Sequence, residues 1–320
     1  MTDPRAEALG PAGHPAPTRR GVHGRLMQLA EVHDNGFRPE RTLRVRVEFV
    51  RQLRRRRTQL TALVLLVLPV VIALAFQVSS STGSAGAAPQ GGSGRAGAPA
   101  LVTLATTGAT NFALFTEFAS TGFLLVVIVA LFCGDTVASE ASWASLRYLL
   151  AIPVPRPRLL RQKLIVALSL SFGANLLLPA WSYLVGGVFF SWAPGQSPLG
   201  GLFTTGAGLQ RLLIVVCYAS VQSLLVAALA FLLSVLTDAP LGAVGGATML
   251  VVVSNILDSI TALDPYRRFL PTHFQYSWLD ALGQNVIWDD MMRGTGLVLV
   301  YSALFFALAW WRFQEKDILS

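Results

Sequence analysis

Residues 212–236 read LLIVVCYASVQSLLVAALAFLLSVL, and residues 164–188 read LIVALSLSFGANLLLPAWSYLVGGV. Neither stretch contains Asp, Glu, Lys or Arg. Each reaches the roughly 20 apolar residues with which a helix crosses about 30 Å of hydrocarbon. Similar runs recur at about 60–78, 118–137, 240–257 and 294–311, and the two quoted runs extend to 211–236 and 164–190. The pattern predicts an all-α, polytopic membrane protein with six transmembrane helices. Composition agrees: of 320 residues, 53% are hydrophobic and only 13% charged, where soluble domains carry about 25% charged residues.

Working outward, residues 1–38 are rich in Pro, Gly, Ala and Arg without a sustained period. They are expected to form a disordered cytoplasmic tail. Residues 39–58 place Leu43, Val47, Val50 and Leu53 at helical spacing between arginines, the pattern of an amphipathic helix in the membrane interface. A six-span transmembrane domain, 59–318, follows. Pro69 lies at the centre of the first span, where a kink is expected. The Ser/Gly/Ala/Pro-rich stretch Ser79–Gly108 reads as a flexible extracellular loop. Pro240 opens the fifth span after a tight turn, Thr237 to Ala239.

The net charge of +8 comes with a strong bias in position. Eight arginines fall between Arg41 and Arg57, directly before the first span. Of these, Arg54, Arg55, Arg56 and Arg57 are expected to anchor the chain to anionic lipid, which accounts for the charge without nucleic acid. Thirteen Lys and Arg precede the first span, five lie in 138–163 and two at the C-terminus, against five in the remaining loops. The positive-inside rule then puts both termini in the cytoplasm, with an even number of spans. The segment Asp258–Arg293 falls outside.

The loop Ala138–Lys163 follows the second span. Trp143, Leu146 and Leu150 fall on one helical face, and Glu140 and Arg147 share a stripe. An apolar face in water invites a partner. Pro153, Pro155 and Pro157 end the helix, and Arg156, Arg158, Arg161 and Lys163 lead back to the membrane.

Here the chain resembles the permease subunits of exporter-type ABC transporters, the "ABC transporter permease, type 2" group. Glu140, Leu146-Arg147, Leu149-Leu150-Ala151, Pro153-Val154, Arg156 and Lys163 carry the likeness. Glu48 before the first span, Leu270-Pro271-Thr272 with Trp278, and Phe313 with Asp317 add weaker parts of it. Where the family has Gly-Thr before Leu-Arg, this chain has Ala144-Ser145. The resemblance implies a plasma-membrane permease of a bacterial cell. It would pair with a second copy or a sister permease and with separate ABC ATPase subunits that bind ATP and Mg. The helix Ser139–Leu150, with Glu140, Trp143, Leu146, Arg147 and Leu150, would be the coupling helix.

The chain is not expected to be an enzyme or to hold a cofactor or metal. Its two lysines lie in Gln162-Lys163-Leu164 and Glu315-Lys316-Asp317, so neither belongs to a Gly-Lys-Ser/Thr phosphate loop. The four histidines form no His-Glu-x-x-His, and no Gly-x-Ser-x-Gly occurs. Cys133 and Cys217 are expected to be small packing residues. Asn175, Ser220 and Gln222 stand out within the spans, as helix-joining or pathway groups. No span is expected to hold a central charge, which favours an external energy source over ion coupling. The alternative is a non-transporting membrane anchor or scaffold with a basic cytoplasmic tail.

Overall fold

The computed structural model describes residues 45–81, 98–142, 156–198, 200–283 and 285–315, all within the compact unit Leu43–Ser320. The tail 1–38, much of the Ser79–Gly108 loop, and the coupling-helix residues Trp143, Leu146, Arg147 and Leu150 lie outside them. Among the described residues the chain is helical and has no strand. The helices are α1 (Val45–Leu53), α2 (Arg56–Ser81), α3 (Ala98–Leu104), α4 (Ala109–Thr121), α5 (Leu124–Ser142), α6 (Arg156–Phe189), α7 (Thr205–Leu236), α8 (Pro240–Ser259) and α9 (Asp289–Glu315). Five of them, α2, α6, α7, α8 and α9, are long and apolar enough to cross a membrane. The pair α4–α5 passes the same test together, bent by 58° at its break. The chain is therefore a multi-pass helical membrane protein with five or six candidate spans.

Burial sorts these helices. Of the five single-helix spans only α7 is mostly covered: 61% of its apolar stretch is buried, against 17% in α2. It packs against α4, α5, α6, α8 and α9 and is the hub of the bundle. The others turn large apolar side chains outward: Leu63, Val67, Val71 and Leu74 on α2, and Leu299, Val300, Leu304 and Trp311 on α9. Such continuous apolar cover suits lipid, not water.

Two groups of contacts define the ends. At one, Val137, Leu160, Val235, Ala309 and Phe313 share a cluster, bringing together the C-terminal ends of α5, α7 and α9 and the start of α6. Ser234 on α7 accepts hydrogen bonds from the backbone N–H groups of Val137 and Ala138, at 3.1 and 3.0 Å. Gly134 lets α8 approach closely: a Cβ there would lie 3.1 Å from Val244 Cγ2. At the other end, Gln77 donates to Phe189 O at 3.1 Å and Ala109 N donates to Ser191 O at 2.9 Å. As a pair, α4 and α5 thus run from one end of the bundle to the other.

The second span departs from expectation. Its helix starts at Ala109, not near Phe118, and breaks at Gly122–Phe123. In contrast, α2 runs through Pro69 without interruption. One turn before that proline, Leu66 O accepts a hydrogen bond from Trp181 Nε1 at 2.9 Å. Bonds of this kind let a membrane helix carry a proline, which lacks a donor.

Within the segment Asp258–Arg293, expected to be polar and to lie outside, the residues between α8 and α9 form three short 3-10 turns (Thr261–Leu263, Tyr266–Phe269 and Ser277–Leu282) and fold back onto the helices. Trp278 and Leu282 are fully buried against Leu114 of α4 and Val215 of α7. The apolar residues of this segment supply the packing that the loop reading left out.

Candidate functional site: the break in the bent pair and its buried polar groups

The break between α4 and α5 is where the folded-back segment meets the bundle. Helix interruption frees backbone carbonyls that must find other donors. Thr121 O finds one in Gln275 Nε2, at 2.8 Å. Gly122 makes room for Tyr276: a Cβ there would lie 2.6 Å from the tyrosine hydroxyl. The Tyr276 ring packs on Phe118, with centroids 5.2 Å apart. The bend is thus held from the side by two consecutive residues of the folded-back segment.

Beside it lies a cavity of about 30 Å³, lined by Thr121, Asn175, Gln222, Ser223, Thr272 and Gln275 among apolar neighbours. Asn175 Nδ2 donates to Ser171 O at 2.9 Å and to Ser223 Oγ at 3.3 Å. Ser223 Oγ donates to Ser220 O at 2.7 Å. Thr272 and Ser254 share a hydrogen bond of 2.8 Å, tying the segment to α8. Three polar atoms at this level are buried without a hydrogen-bond partner: Gln222 Nε2, Gln275 Oε1 and Ser220 Oγ. Asn175, Ser220 and Gln222 are therefore brought to one place, where Asn175 joins α6 to α7 and Gln222 lines the cavity. Gly294 of α9 packs closely on the folded-back segment: a Cβ there would lie 2.5 Å from both Phe274 Cβ and the Tyr218 hydroxyl.

The second span was expected to hold no central charge; extended back to Ala109, it takes in a glutamate. Glu117 on α4 is fully buried, and neither carboxylate oxygen has a hydrogen-bond partner. The apolar run was placed from Phe118 onward, so Glu117 fell one residue short of it. Tertiary packing extends the helix back to Ala109 and carries the glutamate inside. Asp135 on α5 is also buried. The two carboxylates differ in what surrounds them.

Asp135 meets the basic stretch. Arg55 Nη1 lies 3.3 Å from Asp135 Oδ2, and Arg57 pairs with Asp135 Oδ1. Burial draws the Arg55 guanidinium below its ordinary value, while Asp135 pushes it back up. Of the four arginines expected to anchor lipid, Arg54, Arg56 and Arg57 are exposed and Arg55 is half-buried; Arg55 and Arg57 also pair with Asp135. α1 also packs on α6, and Glu48 pairs with Arg51 at 2.7 Å.

The backbone of Glu140 lies on α5, which ends at Ser142. Cys133 is buried, as a packing residue should be, but Cys217 is exposed. It lines an apolar groove of about 590 Å³ between α7 and α9, with Leu213, Val221, Met292 and Leu299. Among the described residues no group of three or more His, Cys, Asp or Glu could hold a metal ion.

The family described as "Protein of unknown function (DUF2705)" matches residues 101–319, from α3 to the end of α9 and beyond. Curated proteins give no match.

Proposed function

Since the chain belongs to the DUF2705 family, whose description leaves its role open, we propose that it is the transmembrane permease subunit of an ATP-driven exporter. In this reading six spans form the passage, with α4 and α5 together as the second. Both termini are cytoplasmic, in the plasma membrane of a bacterial cell. Two such chains, or this chain and a sister permease, stand above separate ABC ATPase subunits that bind ATP and Mg.

The observation that carries the reading is where the coupling segment is rooted. α5 ends at Ser142 and α6 begins at Arg156, so the helix expected at Ser139–Leu150 begins within α5 and its remaining residues belong to the connection between these two ends. The same end gathers Asp135 with Arg55 and Arg57 and the last turns of α7 and α9. A pull on that segment acts directly on α5, whose other end is the break beside the polar cavity. A motor below and a hinge within the bundle are thereby joined by one helix.

The test is purification from the native membrane in mild detergent. The expected outcome is a co-purifying protein that hydrolyses ATP, lost when Trp143→Ala is combined with Arg147→Glu. Retention of that partner by the double variant contradicts the assignment of the coupling helix. A chain that brings down no ATPase activity favours the anchor or scaffold reading.

A further inference from the structure

We propose that the apolar groove between α7 and α9 holds one acyl chain of a zwitterionic phospholipid, whose headgroup rests at the start of α9. This goes beyond the exporter reading and does not depend on it.

The first ground is shape. The groove runs from Leu213 to Val221 on α7 and from Trp288 to Leu299 on α9. At about 1.5 Å per helical residue these stretches span about 12 and about 16 Å, close to the ~15 Å of hydrocarbon in a single leaflet. Both lie toward the N-terminal ends of their helices, away from the end where Val235, Ala309 and Phe313 meet Val137. The groove therefore follows one leaflet and does not cross the bundle. Spread over about 16 Å, its volume of about 590 Å³ gives a channel about 6 Å across. A helix, about 10 Å wide with its side chains, does not enter such a channel. A stable contact with a second copy takes about 800 Å² from each partner, which so narrow a channel does not offer. A single extended hydrocarbon chain fits it in both width and length.

The second ground is the chemistry of the walls and the mouth. Leu213, Met292 and Leu299 are exposed along the walls, and the unbranched methionine adapts to an irregular chain. Gly296 leaves open space, since a Cβ there would meet nothing within 4 Å, so a chain can lie against the α9 backbone. Within a bilayer the preference for such a site comes from packing: a chain in the groove meets protein on two sides, and a chain on a convex helix face meets it on one. Trp288 stands at the mouth, where an indole suits the headgroup level. Asp289 and Arg293, both exposed, follow it one turn apart on α9, and Arg293 Nη1 lies 3.6 Å from Asp290 Oδ1. The mouth thus presents both signs of charge. They complement a headgroup that carries a phosphate and an ammonium, with Arg293 toward the phosphate and Asp289 toward the ammonium.

The test uses the purified full-length chain alone in nanodiscs of phosphatidylethanolamine and phosphatidylglycerol, with no ATPase, so its failure is separable from failure of the exporter reading. The probe is phosphatidylethanolamine with a diazirine on one acyl chain, and its adducts are mapped by mass spectrometry. Adducts should be enriched several-fold on residues 213–221 and 288–299 over the lipid-facing residues of 63–74 on α2. Gly296→Leu, which fills the groove, should remove that enrichment at an unchanged unfolding temperature. Even labelling of the groove and α2 means bulk bilayer lipid only and overturns the proposal, as does enrichment that survives Gly296→Leu. Should Gly296→Leu not fold, a bulky maleimide on the exposed Cys217 of the folded wild-type chain fills the groove from α7, Cys133 being buried. Adducts on 288–299 should then drop to the α2 level, and unchanged adducts overturn the proposal. The same label on phosphatidylglycerol, which has no ammonium, should be enriched less, and equal enrichment contradicts the headgroup assignment. Oxidative cross-linking of Cys217 between two copies in the nanodisc would seat a second chain on the groove and also overturn it.

Discussion

Asp135 and Glu117 are two buried carboxylates on the two halves of one bent helix pair, and their surroundings are opposite. Asp135 sits at the basic end, paired with Arg55 and Arg57, whose side chains remain 26% and 42% exposed. Charge is tolerated there because its partners reach water. Glu117 sits beyond the break, and neither of its carboxylate oxygens has a hydrogen-bond partner among the described residues. That half of the bundle is joined instead by aromatic packing and by hydrogen bonds that involve residues 260–288, from Gln275 to Thr121 O and from Arg211 to Ala281 O. The comparison separates two kinds of joint. The basic end can be rearranged by charge and solvent, while the far half is sealed by fit and must open as a unit.

The largest effect is expected from Trp278→Ala. This side chain is fully buried between α4 and α7, and its removal should lower stability by about 3–5 kcal/mol, read as thermal unfolding in detergent. Gly294→Val tests the seal from the opposite wall. The added side chain runs into Phe274 and Tyr218, and overpacking of that kind costs about 1–3 kcal/mol. Both variants should loosen the far half and leave labelling of cysteines placed near Asp135 unchanged.

Asp135→Asn tests the other joint. Its arginine partners are partly exposed, so the loss should be about 1–2 kcal/mol. Added salt should shrink the gap between variant and wild type, whereas it should not do so for Trp278→Ala. The smallest effect is expected from Gln275→Leu. It leaves Thr121 O unpaired but also removes the unpartnered Gln275 Oε1. The two offset to about 1 kcal/mol, with faster amide exchange at the break as the finer readout.

The helices were legible in hydropathy because a membrane helix is specified by a long apolar run. The break was not. α2 is continuous through Pro69, while the pair α4–α5 breaks at Gly122, which no proline marks. The cause is non-local: Gln275 and Tyr276 lie far along the chain, and only the folded bundle brings them to Thr121 and Gly122. Glu117 was missed for a related reason. A span begun at Phe118 excludes it, although Phe112, Leu114 and Phe115 just before it are apolar enough to have drawn the helix back. Asn175, Ser220 and Gln222 were visible as isolated polar residues in apolar runs. That Asn175 and Gln222 line one small cavity beside the break, with Ser220 tied to it through Ser223, depends on tertiary contacts. Likewise the pairing of Arg55 and Arg57 with Asp135, about 80 residues on, is a tertiary contact that their basic run does not announce.

The account turns on the claim that force enters at the basic end through the segment after Ser142. The direct measurement is ATP hydrolysis by the partner ATPase in proteoliposomes, with wild-type chain or with Trp143→Ala plus Arg147→Glu. The account predicts that the chain stimulates hydrolysis, and that the double variant abolishes the stimulation while unfolding at the wild-type temperature. Stimulation that survives in the double variant, at unchanged stability, contradicts it.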